Sequence, residues 1–328
     1  MRFSTRTVSA ILSSRSGLQR VDLSGRPAYV LTELIGPVAV GDRVIVNETA
    51  VDLELGTGGF DVVHWNLSRS EFSSAGGGPV LKLRYTSLQV DTGVAEDASS
   101  FSPPDDLGDM PVVVCTLHSQ VGCVAGAFHS LAPQRRLVFV MTDSAALPLA
   151  LSDLVASLVD SGALVSTVTF GQAFGGAYEA VNVYSALQVA LGLGRADAVV
   201  VGPGPGVVGT DSTLGFSGLE VAGVVDAAAR LNGTPVLAVR YSDVERRTRH
   251  HGVSHHTTTA LSLMEHRPVV PVPIGQSVPE LGSVVQIDVP ELDLAFIESM
   301  GRTADEDPAF FRFAAAAGAY AAQLVATS

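Results

Sequence analysis

From residue 111 onward the hydrophobic pattern changes period, and that change constrains the fold more than any other feature. PVVVCTL, RLVFVMT, ALVSTVTF, ADAVVVG and TPVLAVR are strand-length runs, apolar on successive rather than alternate residues. A strand covered on both faces needs such a run, whereas a strand with one wet face alternates. Helical patterns lie between them. ALPLALSDLVASLVDSG sets Leu147, Leu151, Leu154, Val155 and Leu158 on one face, with Pro148 in the first turn. A further helix is expected from Ala177 to Leu191. Strands and helices in alternation predict an α/β fold with a doubly wound, mostly parallel sheet over residues 111–328.

Residues 1–90 read differently. TVSAILS, LQRVDLS, RPAYVLTEL, DRVIVNET and VLKLRYTSLQV are short, alternating or β-branched segments divided by Gly, Pro, Ser and Asp. In GPVAVGDRVIVN the Gly41-Asp42 turn precedes Val44 and Val46, which alternate with Arg43 and Ile45. A small all-β, barrel-like domain is expected there. Residues 91–110, acidic and rich in Ser and Pro, read as a linker. The chain has 328 residues, 47% hydrophobic and 16% charged, which is enough for two cores.

The net charge of −13 argues against nucleic acid as a partner, since duplex affinity comes from neutralising phosphates. A local group of arginines can still hold a small anion. Cys115 and Cys123 form no CxxC and sit among apolar or small residues, so both read as buried structural thiols. The first twenty residues read as mature structure, and no apolar run is expected to span a membrane. The expectation is a cytoplasmic protein. A helix is expected from Pro308, and its many alanines suit an internal packing seam or, alternatively, a homodimer contact.

In open α/β sheets ligands bind beyond the carboxyl ends of the strands. Those ends deliver His118-Ser119, Asp143-Ser144, Gly171-Gln172, a glycine loop and an Arg/His segment. The loop, GPGPGVVGTDSTLGFSG, contains Gly204, Gly206 and Gly209 as a literal G-x-G-x-x-G. No helix follows directly and no acid ends the next strand, so NAD is not the expected ligand. Bare N–H groups with Thr210, Ser212 and Thr213 suit an oxyanion instead, ahead of a helix started by Ser217 and Glu220.

RHHGVSHHT, at 249–257, is the other candidate wall. Gly252 breaks it, and Ser254 caps a helix that carries His255 and His256 in its first turn. The positive helix end favours neutral imidazole there. Arg246 and Arg249 are the expected anion clamps. His255, His256 and His118 are the candidate proton-moving groups, with Asp143 and Ser144 near the ligand. A divalent metal would draw on His250, His251, His255 and His256, although the spacing matches no standard ligand pattern.

Several stretches, among them GDRVIVNETAVDLELGTGGFDVV, FGQAFGGAYEAVNVYSAL, GPGVVGTDSTLGFSGLEV and RHHGVSHHTTTAL, resemble a family of uncharacterised bacterial proteins, domain of unknown function 3866. The resemblance spans nearly the whole chain. It implies one bacterial, cytoplasmic family and brings no reaction, cofactor or catalytic residue. The expected function is therefore an enzyme acting on a small anionic, phosphorylated or nucleotide-like metabolite. The alternatives are a non-catalytic binding or regulatory protein using the same cleft, and a divalent-metal-dependent hydrolase.

Overall fold

The change of hydrophobic period coincides with a change of structural unit. In a computed structural model, which describes residues 1–55, 58–294 and 297–326, the chain divides into residues 1–93 and residues 94 onward.

The first unit contains β1 (Phe3–Thr7), β2 (Ala10–Arg15), β3 (Leu18–Asp22), β4 (Pro27–Leu31), a helical turn α1 (Thr32–Ile35), β5 (Arg43–Asn47), a second turn α2 (Thr49–Asp52) and β6 (Asp61–Asn66). Its sheet runs β1-β5-β6-β4-β3-β2, with β4 and β6 the parallel pair. A barrel requires the outermost strands to pair. Here the sheet ends at β1 and β2, so the barrel-like expectation is corrected to an open, mixed sheet. Gly41 takes φ +93° before β5, whose Val44 and Val46 are fully buried. VLKLRYTSLQV is not one strand. It supplies only the short antiparallel pair β7 (Leu81–Lys82) and β8 (Val90–Asp91).

The second unit continues with β9 (Pro111–Val114), α3 (His118–Leu131), β10 (Leu137–Thr142), α4 (Asp153–Asp160), β11 (Ser166–Phe170), β12 (Tyr178–Ala180), α5 (Val183–Gly192), β13 (Ala198–Pro203), α6 (Val221–Arg230) and β14 (Thr234–Leu237). These strands form one parallel six-stranded sheet in the order β12-β11-β10-β13-β9-β14. The continuous apolar runs now have a reason. In β10, Leu137, Phe139 and Met141 pack with α3 and α4, while Val138 and Val140 pack with α5 and α6 on the opposite face. Two caps set local helix starts. Ser152 Oγ accepts from Val155 N at 2.9 Å, so α4 begins at Asp153, well after Leu147. Asn182 caps α5, because Tyr178–Ala180 joins the sheet edge instead of a helix.

Residues 94–110 are not a free linker. Leu107 and Met110 are buried in the core beneath α6, and Glu96 accepts from Val181 N. After β14 come the antiparallel pair β15 (Tyr241–Ser242) and β16 (Gly252–Val253), α7 (His255–Leu263), the parallel pair β17 (Pro271–Pro273) and β18 (Val285–Ile287), and α8 (Pro308–Ala326).

Among the described residues α8 is the one helix long and apolar enough to cross a membrane, where no apolar run of that length was expected. Most of it is buried inside this unit. A Cβ on Gly318 would stand 2.2 Å from the Val124 carbonyl oxygen, so α3 and α8 approach at backbone distance. The alanine face is an internal seam.

Candidate functional site

Adjacent strands β9 and β13 send their following helices, α3 and α6, to opposite faces of the sheet. Loops that diverge in this way leave a crevice at the carboxyl edge. Two adjoining cavities occupy it, and both have Leu117, Val207 and Met300 in their walls.

The first cavity, about 200 Å³, is built by Arg240, Arg247, Arg249, His250 and His256 against the 207–209 segment. Arg240 follows the fully buried Ala238 and Val239 beyond β14, and only 5% of it is exposed. Its Nη1 donates to His256 Nδ1 at 3.0 Å and its Nη2 to Met300 Sδ at 3.2 Å. No carboxylate of the described residues forms an ion pair with it. Burial, then the neighbouring Arg247, lowers its pKa to about 10. Glu245 lies near enough to favour the Arg240 charge but makes no ion pair with it, since its oxygens bind Arg247 and Arg302, and it is held far below the usual carboxylate range.

The histidines converge because Gly252, at φ +69°, turns the chain back and Ser254 caps α7. Ser254 Oγ accepts from His256 N and bonds His250 Nδ1 at 2.7 Å. The rings of His250, His255 and His256 lie 4.4 to 4.9 Å apart by centroid. Phe216 stacks on His256 at 3.7 Å. Burial, followed by the charge of Arg240, lowers the pKa of His250 and of His256 to about 3. Burial, then Arg249, lowers that of His255. An arginine can only donate, so neutral His256 carries its proton on Nε2. His255 Nε2 is buried without a hydrogen-bond partner.

The second cavity, about 270 Å³, holds His118. The Pro203 carbonyl can only accept, so His118 Nδ1 donates to it at 2.8 Å, and Nε2 accepts from Ser152 Oγ at 2.6 Å. Burial lowers the His118 pKa to about 4. Both ring nitrogens are engaged within the fold. His118 therefore lies beside the histidine trio without joining it.

The other expected residues scatter. Gly209 lines the arginine cavity, Gly206 lines the His118 cavity, and Gly204 is buried, where a Cβ would meet Ala146 O at 2.4 Å. The loop closes as a hairpin in which Thr210 N donates to Gly215 O and Gly215 N to Ser212 Oγ. Thr210 and Ser212 hydroxyls bond each other at 2.9 Å, and Thr213 is exposed. Ser217 starts a 3-10 turn, and its hydroxyl accepts from Val208 N instead of capping α6.

Arg246 is exposed and outside the cavity, and Arg247 takes the position expected of it. Arg249 is in place, donating to Thr210 O and pairing with the exposed Asp211. His251 is exposed, apart from the trio, with Nδ1 3.3 Å from Glu245 O. Asp143 accepts from Gln172 N, and Ser144 donates to Glu220, whose carboxyl is pushed up by burial.

Arg240 and Arg247 belong to the basic stretch that ends in Arg249 but were not among the expected site residues, and Met300 was not singled out. Arg240 had a readable signal, a cation directly ending a continuous apolar strand run. Met300 had none.

The family model described as protein of unknown function (DUF3866) matches residues 27–294. The chain belongs to this family. The matched span carries Arg240, Arg247, Arg249 and the histidine trio, while Met300 lies beyond it. No curated protein matches the chain.

Proposed function

We propose that the protein is an enzyme that binds a small anionic metabolite in the arginine cavity and moves protons on it with His255 or His256. The observation that carries this reading is Arg240, a buried guanidinium whose side-chain partners are an imidazole nitrogen and a thioether. A buried charge requires a compensating partner. An oxyanion set among Arg240, Arg249 and the His256 Nε2–H would supply it, while His255, whose buried Nε2 has no partner among the described residues, packs against His256 behind the cavity wall. At ~30 Å³ per water-sized volume, the cavity suits a group of roughly seven heavy atoms, which favours a small anionic head over a whole nucleotide.

The test is a thermal-shift and calorimetric panel of phosphate, pyrophosphate, acetate and succinate on the wild type and on Arg240→Met. Stabilisation by at least one anion, abolished in the variant, is expected, since a ligand of the folded state raises its melting temperature. No binding by any member, or equal binding to both proteins, overturns the reading. Once a substrate is found, turnover unchanged in both His255→Ala and His256→Ala takes the proton-moving role away from these two histidines.

The clustering of His250, His255 and His256, with candidate ligand atoms within 4.8 Å of one another, favours a second reading, a divalent-metal hydrolase. Two features weigh against it. The arginines make the cavity cationic, and the bond from Arg240 puts the His256 proton on Nε2, where a metal would need a lone pair. Stoichiometric metal in protein purified without chelators would reverse that preference.

A further inference from the structure

The cavity beside the arginines is lined by Leu117, Leu154, Val207, Ile297 and Met300, with the exposed Glu298 and the polar groups of His118, Ser119 and Ser299. The last three are already engaged. His118 uses both ring nitrogens, on Pro203 O and Ser152 Oγ, and Ser119 Oγ donates to Ser299 Oγ at 2.9 Å. What faces the space is mainly carbon. Gly122 on α3 allows this wall to form, because a Cβ there would stand 2.5 Å from Ile297 Cδ1 and 2.9 Å from Leu154 Cδ1. The cavity also adjoins the arginine cavity across Leu117, Val207 and Met300.

Met300 has an unusual backbone for this position. Ser299 and Arg302 exchange both backbone hydrogen bonds around a two-residue turn, with Met300 at φ +53° and Gly301 at φ +73°. Positive φ at both central positions defines a turn that favours Asn or Gly at the place Met300 occupies. The strained turn holds the thioether against Arg240 and Arg247, with sulfur 3.2 and 3.7 Å from their Nη2 atoms. A thioether is a weak acceptor, and an oxyanion is a much stronger one.

We infer that the two cavities form one bipartite site, whose arginine half takes an oxyanion head and whose His118 half takes the uncharged, largely apolar body of the same molecule. The inference rests on the anion reading above and narrows the substrate class to small amphipathic organic oxyanions. The head is a carboxylate or a phosphoryl group. The body is a short alkyl or similarly compact apolar group, filling a space of about 270 Å³. Met300 lies at the junction, where its side chain touches both halves.

The experiment uses two homologous series on the full chain, acetate to hexanoate and methyl to hexyl phosphate, with inorganic phosphate as the head-only probe. Calorimetry reads the dissociation constants. In at least one series affinity is expected to rise about fourfold per added methylene until the cavity is full, and then to level off. The better series identifies the head. Leu154→Phe, which narrows the apolar half, is expected to flatten the rise while leaving head-only binding unchanged. Gly122→Ala, which pushes Ile297 and Leu154 inward, serves as a second narrowing variant.

Head-only binding lost in Arg240→Met but without any gain along either series overturns this inference and leaves the anion reading standing. Absence of all anion binding overturns both. A rise of equal slope in wild type and in a folded Leu154→Phe or Gly122→Ala protein places the alkyl chain elsewhere and also overturns the inference.

Discussion

Two histidine environments lie side by side at one sheet edge. His118 is neutral and fully engaged, donating to a carbonyl and accepting from a serine. His255 and His256 are neutral beside Arg240, a guanidinium with no ion pair among the described residues, with Nε2 of His255 unengaged and Nε2 of His256 left as a donor. A lowered pKa therefore does not distinguish a working histidine from a structural one. The distinction lies in what each ring nitrogen still has to offer. His118 ties α3 to the end of β13 and to the cap of α4, whereas His250 and His256 of the trio line a cavity.

The sharpest way to break that contrast is to remove the charge on one side and the ring on the other. Arg240→Met should weaken binding of the best anion by about 2 kcal/mol or more, at least thirtyfold, as loss of one partner of a buried charged contact does. His118→Gln should change the same constant by less than threefold. Isothermal titration of both variants measures this, and equal losses would erase the distinction between the cavities.

Stability should show the reverse order. His118→Ala leaves the Pro203 carbonyl and the Ser152 hydroxyl without their partner and should cost about 2–4 kcal/mol in urea unfolding. His255→Ala removes a ring whose Nε2 bonds nothing and should cost about 1 kcal/mol or less. A larger loss from His255 than from His118 would mean that the trio is a structural cluster.

Acid adds a further separation. Each of these histidines has its folded pKa below the unfolded value near 6.5, so on acidification the unfolded chain takes up protons that the folded one refuses. The folded state accordingly loses stability as pH falls below about 6.5, down to about 4 for His118 and about 3 for His256. His118→Gln should flatten part of that decline. A bound anion acts on the trio alone, because it offsets Arg240 and Arg249, whose charges help to hold the His256 pKa down. Its binding should move that pKa from about 3 back toward 6.5, draw in protons and tighten as pH falls through that range. Calorimetry in two buffers of different ionisation enthalpy reads the uptake, and a pH-independent constant would contradict the proximity of anion and trio.

How far this contrast was legible in the sequence follows from the range of the forces involved. The uninterrupted runs around Val113, Phe139 and Val200 reveal a sheet covered on both faces, because burial acts residue by residue along a strand. Ser254 and Gly252 likewise foretell the start of α7, since a cap is local. Sheet closure is not local, and the same alternation in Val44 and Val46 serves a barrel or an open sheet equally well. The loop hydroxyls are ambiguous in sequence for a related reason. Thr210 and Ser212 can bond a ligand or their own hairpin, and only the Gly209–Phe216 pairing decides between the two. Met300 approaches Arg240 across 60 residues, which no spacing rule captures.

The smallest expected effect concerns that contact. Met300 adopts φ +53°, a left-handed conformation that costs an ordinary side chain roughly 1–2 kcal/mol, and its side chain is 41% exposed, so little packing offsets the cost. Met300→Gly should relieve the strain at the price of greater freedom in the unfolded chain, for a net gain of about 0.5–1 kcal/mol and a rise in Tm of about 2–4 °C at most. The same change removes a wall common to both cavities. Head-only anion binding should stay within about twofold, while the gain from a longer alkyl chain should shrink. If Met300→Gly instead lowers Tm and leaves the chain-length series intact, the thioether stabilises the arginine cluster without contacting the ligand. The boundary between the two halves would then rest with Leu117 and Val207.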